Sequence, residues 1–266
     1  MNGNFIDIEG VSGSGKTTLI EKLIAFLRDQ DIAVVVNMEP TNYCPVGRLI
    51  REVIEGRKPD QDLLERAFEK IREFMKTMGK KIPEMSVVPE IKILLGFLEL
   101  PVRAMKKLFK GQQLEPREFQ SLYVVDRYFD LMEFIIPHTR KGFVVLNDRF
   151  LLSTCAYGGA YGVSITEIFE WHAVILGDIW HFPTATLYVK VSAETAIKRL
   201  FDSGKQVDVW ERKEKIKDLV ESYESAVYFL KEESRHEGIP DTFYVINGEL
   251  TEDEVFEQVK PLLGIH

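Results

Sequence analysis

Eight consecutive residues, Gly10-Val11-Ser12-Gly13-Ser14-Gly15-Lys16-Thr17, fit the pattern G-x-x-x-x-G-K-[ST]. Glycines at Gly10, Gly13 and Gly15 let main-chain N–H groups converge on phosphate oxygens, and a helix starting there adds a partial positive charge. Lys16 is placed to reach β- and γ-phosphates, and the Thr17 hydroxyl to ligate Mg²⁺. With Ser12, Ser14 and Thr18 completing the loop, these residues bind charge: they imply ATP and Mg²⁺ without naming a reaction. The bland alternative, a glycine-rich turn with an accidental lysine, fares badly once the flanks are read.

Asp148-Arg149 is the second group that could do chemistry. It ends a continuous apolar run, so a strand there delivers both side chains to the carboxyl edge of a sheet, where open α/β folds bind ligands. A carboxylate facing the phosphate loop is a place for Mg²⁺, and an arginine beside it can fork two donors onto an acceptor phosphate. An Asp–Arg pair can also merely close a strand end. The upstream loop favours the catalytic reading of Lys16, Asp148 and Arg149.

These groups need a frame. Residues 5–9 alternate apolar and acidic and read as a strand, and 17–27 carry Leu19, Ile20, Leu23, Ile24 and Leu27 at helical spacing. Strand, loop, helix is the setting the motif requires. Further strands are predicted at 32–36, 143–146, 186–191 and 243–246. Helices are predicted at about 46–55, 63–78, 116–134, 194–201 and 213–233, and from 252. Nearly continuous apolar strands separated by helices predict an α/β fold: a five-stranded parallel sheet with helices on both faces. One domain spans 1–266, with a helical insertion at about 57–115 and a lid loop at about 203–212.

The 266 residues suffice for one large domain without staples. Lys and Arg total 34 against 42 Asp and Glu, a net charge of −8, so no basic stripe suggests a nucleic-acid partner. Cys44 and Cys155, with no C-x-x-C pair, fit reduced thiols inside a cell and leave zinc without ligands. No basic, apolar leader opens the chain, and no window of about eighteen uncharged apolar residues crosses a bilayer. A cytoplasmic protein is expected. A guanine-nucleotide switch would need N/T-K-x-D late in the chain; the nearest string, Arg57-Lys58-Pro59-Asp60, is early and begins wrongly.

The residues from Phe5-Ile6-Asp7-Ile8-Glu9 through the loop, Glu39-Pro40, Gly47-Arg48-Leu49-Ile50-Arg51-Glu52, Asp126-Arg127, Asp148-Arg149-Phe150, Ser153 and Ala156-Tyr157 resemble, in that order, those of thymidylate kinases. The likeness covers most of the chain outside about 57–115. It implies a P-loop kinase fold that transfers the ATP γ-phosphoryl group to dTMP or a similar pyrimidine deoxynucleotide, and a possible homodimer. It further implies that Arg149 and Arg51 hold the acceptor phosphate, with Glu39, Pro40 and Tyr157 around the acceptor. Arg127 would reach the pyrimidine edge and Tyr123, one helical turn earlier, would stack on the base. On the residues alone, Tyr123 is as easily core and Arg127 a surface ion pair.

Lid cations are expected from Lys205 and Arg212, with Arg199 on the preceding helix at the ATP. Three positions depart from the family pattern: Ser12 replaces an acidic residue, Met38 the Arg of R-E-P, and Gly158 the Gln of A-Y-Q-G. All three lie on the acceptor side, so a kinase for another nucleotide or nucleoside, or a nucleotide-binding regulator without catalysis, stays open at this point. The apolar stretch at about 87–110, broken by Pro89, Gly96 and Pro101, reads as an extra helical layer or a dimer contact. Its basic residues Arg103, Lys106, Lys107 and Lys110 make a membrane surface a weaker alternative.

Overall fold

The alternation of the first strand divides the interior into two. In β1 (Phe5–Glu9) every residue is buried, and successive side chains point to opposite faces. Ile6 and Ile8 pack with Leu19, Leu23 and Leu27 of α1 (Lys16–Asp29) and with Val255 and Val259 of α11 (Glu252–Val259). Phe5 faces the larger core on the other side. The computed structural model describes residues 3–85, 87–180, 182–203, 213–236 and 242–263.

Five strands, β1, β2 (Val34–Met38), β3 (Val144–Asp148), β4 (Ala185–Lys190) and β5 (Phe243–Asn247), form one parallel sheet in the order β2-β3-β1-β4-β5. The chain leaves β1 toward β2 on one side and passes from β3 to β4 on the other. The crevice of such a sheet therefore opens at the carboxyl ends of β1 and β3. Register places Asp148 beside Ile8, so the Asp-Arg pair arrives next to the phosphate loop.

The second strand starts two residues later than its β-branched run predicts. Asp31 takes a left-handed φ of 56°, and the Ile32 amide donates to Leu27 O (2.9 Å) to close α1, which consumes the first residues of the run. The helix predicted at 116–134 is α5 (Pro116–Asp130), continued by a π turn (Leu131–Ile135) into α6 (Ile136–Arg140). Pro137 brings no N–H to the helical ladder, and the wider turn just ahead of it accommodates that loss.

Between β2 and α5 lie α2 (Pro45–Ile54), α3 (Gln61–Lys81) and α4 (Val88–Phe109). Asp60 caps α3 by accepting from the Leu63 amide at 2.7 Å. Instead of breaking at Gly96 and Pro101, α4 runs through both, because burial of Leu94, Phe97, Leu98, Leu100, Ala104 and Met105 outweighs one missing hydrogen bond. Phe97 meets Phe74 and Trp171 edge-on, with centroids 6.2 and 5.5 Å apart. Arg103 and Lys107 pair with Glu118 of α5 (3.2 and 2.8 Å), so two of the four basic residues turn inward to the protein. No helix among the described residues is long and apolar enough to cross a membrane. α7 (Leu151–Ala160), α8 (Ile165–Leu176), α9 (Ala193–Ser203) and α10 (Lys213–His236) complete the layers.

Candidate active site

The loop after β1 needs glycine for space as well as conformation. Gly10 and Gly13 have φ of 142° and 81°, and a Cβ on either would lie 2.6 Å from a main-chain oxygen, that of Val189 or Ala196. α1 then begins at Lys16 with no side-chain cap and no acidic residue in its first turn, so its leading N–H groups suit an anion. Lys16 is buried, and Nζ donates to Gly10 O (2.8 Å) and Val11 O (3.2 Å), folding the ammonium back along the loop. Arg199 of α9 donates to Ser14 O at 3.3 Å, which ties it to the loop.

Arg149 joins the two sequence motifs physically. It sits at a left-handed φ of 75°, held by its amide on Ile8 O (3.0 Å) and by Asn147 Nδ2 on its carbonyl (2.6 Å). Nη1 donates to Gly10 O and to Tyr223 Oη, both at 3.0 Å, and Nη2 to Ser12 Oγ at 3.3 Å. The guanidinium lies 5.2 Å from the ring centre of Tyr157. Beside it, Asp148 Oδ1 is buried with no hydrogen-bond partner among the described residues. Glu9 fixes the start of α7 by accepting from the amides of Phe150 (2.8 Å) and Ser153 (2.9 Å) and from Ser153 Oγ.

One cavity of about 770 Å³ runs along this edge. Ser12 through Leu19, Asp148, Arg149 and Arg199 line it, as do Arg51, Phe119, Gln120, Tyr123 and Tyr157, with Met38, Glu39 and Pro40. Gly248, Leu250, Thr251, Glu252 and Val255, after β5, line it as well. Sequence reasoning missed that last group, whose one signal is a glycine directly after a strand. It also missed Tyr223, which α10 brings in stacked on Tyr188 (5.3 Å, 5° between planes). On α2, Arg51 donates to the carbonyls of Thr41 (3.4 Å) and Pro40, and Phe119 meets Tyr123 edge-on at 5.4 Å. Lys205 and Arg212 lie outside the described residues.

Arg127 corrects an expectation. It is fully buried beneath the cavity and does not line it. Its Nε donates to both Glu39 oxygens at 3.1 Å, Nη2 donates to Glu39 and to Thr154 Oγ1 (2.8 Å), and Nη1 to His172 Nε2. His172 Nδ1 lies 2.6 Å from Ile168 O, which assigns the proton to Nδ1 and leaves Nε2 as acceptor. Burial and then the Arg127 charge hold the imidazole well below its usual pKa, so it is neutral. A carboxylate 88 residues away in sequence is what turns Arg127 from the base edge.

Asp126 and Asp130 tie α5 to β2 and to the chain that follows it. Thr41 donates to Asp126 through its amide (2.8 Å) and its hydroxyl (2.7 Å). Asn37 Nδ2 donates to both Asp130 oxygens (2.8 and 2.7 Å) and Tyr43 Oη to one of them (2.6 Å). Burial pushes the Asp130 carboxyl up to about 7, against the hydrogen bonds of Tyr43 and Asn37 and with Asp126 adding repulsion. The folded chain therefore keeps a proton that the unfolded chain releases near pH 4. Stability from this group is full in acid and is lost as pH rises from about 4 to about 7. Asp130→Asn is expected to gain on the parent by about 1–3 kcal/mol between pH 5 and pH 8 in urea unfolding. A constant offset over that range would refute the assignment.

Comparison with known proteins gives one answer. The family model for thymidylate kinase matches residues 8–88 and 101–255. A thymidylate kinase of Mesoplasma florum is 28% identical over 260 residues, 97% of this chain and 94% of that protein. Those of Carboxydothermus hydrogenoformans and a Geobacillus species are each 26% identical, over 264 and 257 residues, covering 99% and 96% of this chain and 98% and 93% of those proteins. The matched segments carry the phosphate loop, the Asp-Arg strand end and both walls of the cavity, and on that ground the chain belongs to the thymidylate kinase family.

Proposed function

We propose that the protein transfers the γ-phosphoryl group of ATP to dTMP, giving dTDP and ADP. The carrying observation is a single cavity lined both by the phosphate loop with Asp148-Arg149 and by Phe119, Tyr123 and Tyr157, which supports placing donor and acceptor together. A phosphate oxygen of dTMP attacks in line and ADP leaves. The attacking oxygen is already anionic, so the site needs no strong base and supplies position and positive charge. Lys16 and the α1 amides bear on the donor phosphates. Arg149, bonded to Gly10 and Ser12, sits where the two phosphate chains meet, and Arg51 addresses the acceptor phosphate.

The unpartnered, buried Asp148 Oδ1 fits a cation, as does the Thr17 hydroxyl on the same cavity. No cluster of three or more His, Cys, Asp or Glu suited to a metal occurs among the described residues. Mg²⁺ would be held there by one or two side chains together with nucleotide phosphates and water. Bound there, Mg²⁺ supplies charge neutralisation on the transferring phosphoryl group. Lys205 and Arg212 are proposed to add cations from the lid, in a cytoplasmic enzyme working on free nucleotides.

A regulator that merely binds nucleotide is not favoured, because the chain belongs to the thymidylate kinase family and the residues proposed for donor, cation and acceptor line one cavity. Incubation with Mg·ATP and separately dTMP, dUMP, dCMP or thymidine tests the reading. One ADP per dTDP is expected, with dTMP preferred. Product on another acceptor alone, or ATP binding without product, would overturn it.

A further inference from the structure

We infer that the side-chain amide of Gln120 reads the hydrogen-bonding edge of the acceptor base. The inference rests on the thymidylate reading and adds the residue that recognises thymine. Gln120 is only 2% exposed, yet it borders the cavity. Its Oε1 is buried with no hydrogen-bond partner among the described residues. Buried acceptors are rarely left unpaired, since an unmade bond there forfeits hydration without return. An amide in that condition on a cavity wall is suited to a ligand.

The neighbours explain why it stands there. A Cβ on Gly158 would lie 3.5 and 3.6 Å from Gln120 Cγ and Cδ, and 2.2 Å from Ile168 Cδ1. The Gln120 side chain thus rests in ordinary contact with the bare backbone of α7 at Gly158, and Ile168 fills the space that a side chain at 158 would need. Phe119 and Tyr123, one residue before and three after, put rings on the same cavity. Arg127 is tied to Glu39 and Thr154 below the floor, and Arg51 is bonded to the carbonyls of Pro40 and Thr41.

Thymine presents an N3–H donor beside the O4 acceptor. An amide matches both, its oxygen accepting from N3 and its nitrogen donating to O4. Methylation at N3 removes the donor and adds bulk where the amide oxygen must sit.

The test compares kcat/KM for dTMP and N3-methyl-dTMP in the parent, in Gln120→Leu and in Gln120→Met, which keeps the chain length. The parent is expected to prefer dTMP by about 100-fold or more. Each variant should lose roughly 10–100-fold on dTMP and little on the methylated acceptor, so the ratio collapses while KM for ATP is unchanged. A purely structural role would lower both acceptors together and keep the ratio. Parent turnover of dTMP with an unchanged ratio in both variants would overturn the Gln120 assignment alone. Absence of dTMP turnover by the parent would overturn the thymidylate reading, and this inference with it.

Discussion

Lys16→Ala is expected to lower kcat for phosphoryl transfer by about 10³-fold or more, with the fold kept. The ammonium is buried at the mouth of α1 and fastened to Gly10 O and Val11 O, so it stands pre-positioned. A fixed charge in a site shielded from water stabilises developing negative charge far more than one in solvent, and nothing else in the loop replaces it. Alanine favours helix at this first position of α1, so circular dichroism should be unchanged. Turnover within tenfold of the parent would remove Lys16 from the reaction.

Glu39→Ala is expected to destabilise the protein by about 3–5 kcal/mol, more than most core truncations. Arg127 is wholly buried, and among the described residues Glu39 is its one carboxylate partner by hydrogen bond. Thr154 and the neutral His172 cannot replace a counter-charge. Removing both ends is different: Glu39→Ala with Arg127→Met should recover most of the loss, because no buried charge is then stranded. Chemical unfolding of the two variants decides. Equal destabilisation by the single and the double change would mean the pair is not the coupled unit described.

What could be read beforehand was what local spacing encodes. The phosphate loop is contiguous, and its chemistry depends on main chain and one lysine, so the order of residues is nearly the site. Asp148 and Arg149 were legible because a buried parallel strand must end at the ligand-binding edge. Features set by distant pairs were hidden. Arg127 lies under the cavity because Glu39 claims it, and nothing near either residue announces that bond. Gln120 stands out through a buried side-chain oxygen with no partner among the described residues on the cavity wall, which shows only once α5 is set against the cavity. Tyr223 comes from a long charged helix whose pattern marks it as core, which it is, while its hydroxyl serves Arg149. In α4 Gly96 and Pro101, read from the sequence as breaks, lie inside one continuous helix because the surrounding apolar burial overrides them, and Pro89 falls in its first turn.

The central claim is that ATP and dTMP lie end to end in one cavity, their phosphates meeting between Lys16 and Arg149. Calorimetric titration with adenosine and thymidine joined 5′ to 5′ through five phosphates tests it most directly. One equivalent should bind per chain, much more tightly than either nucleotide because the second contact becomes intramolecular, and both ATP and dTMP should compete with it. Competition by only one of the two, or two equivalents bound per chain, would contradict the account.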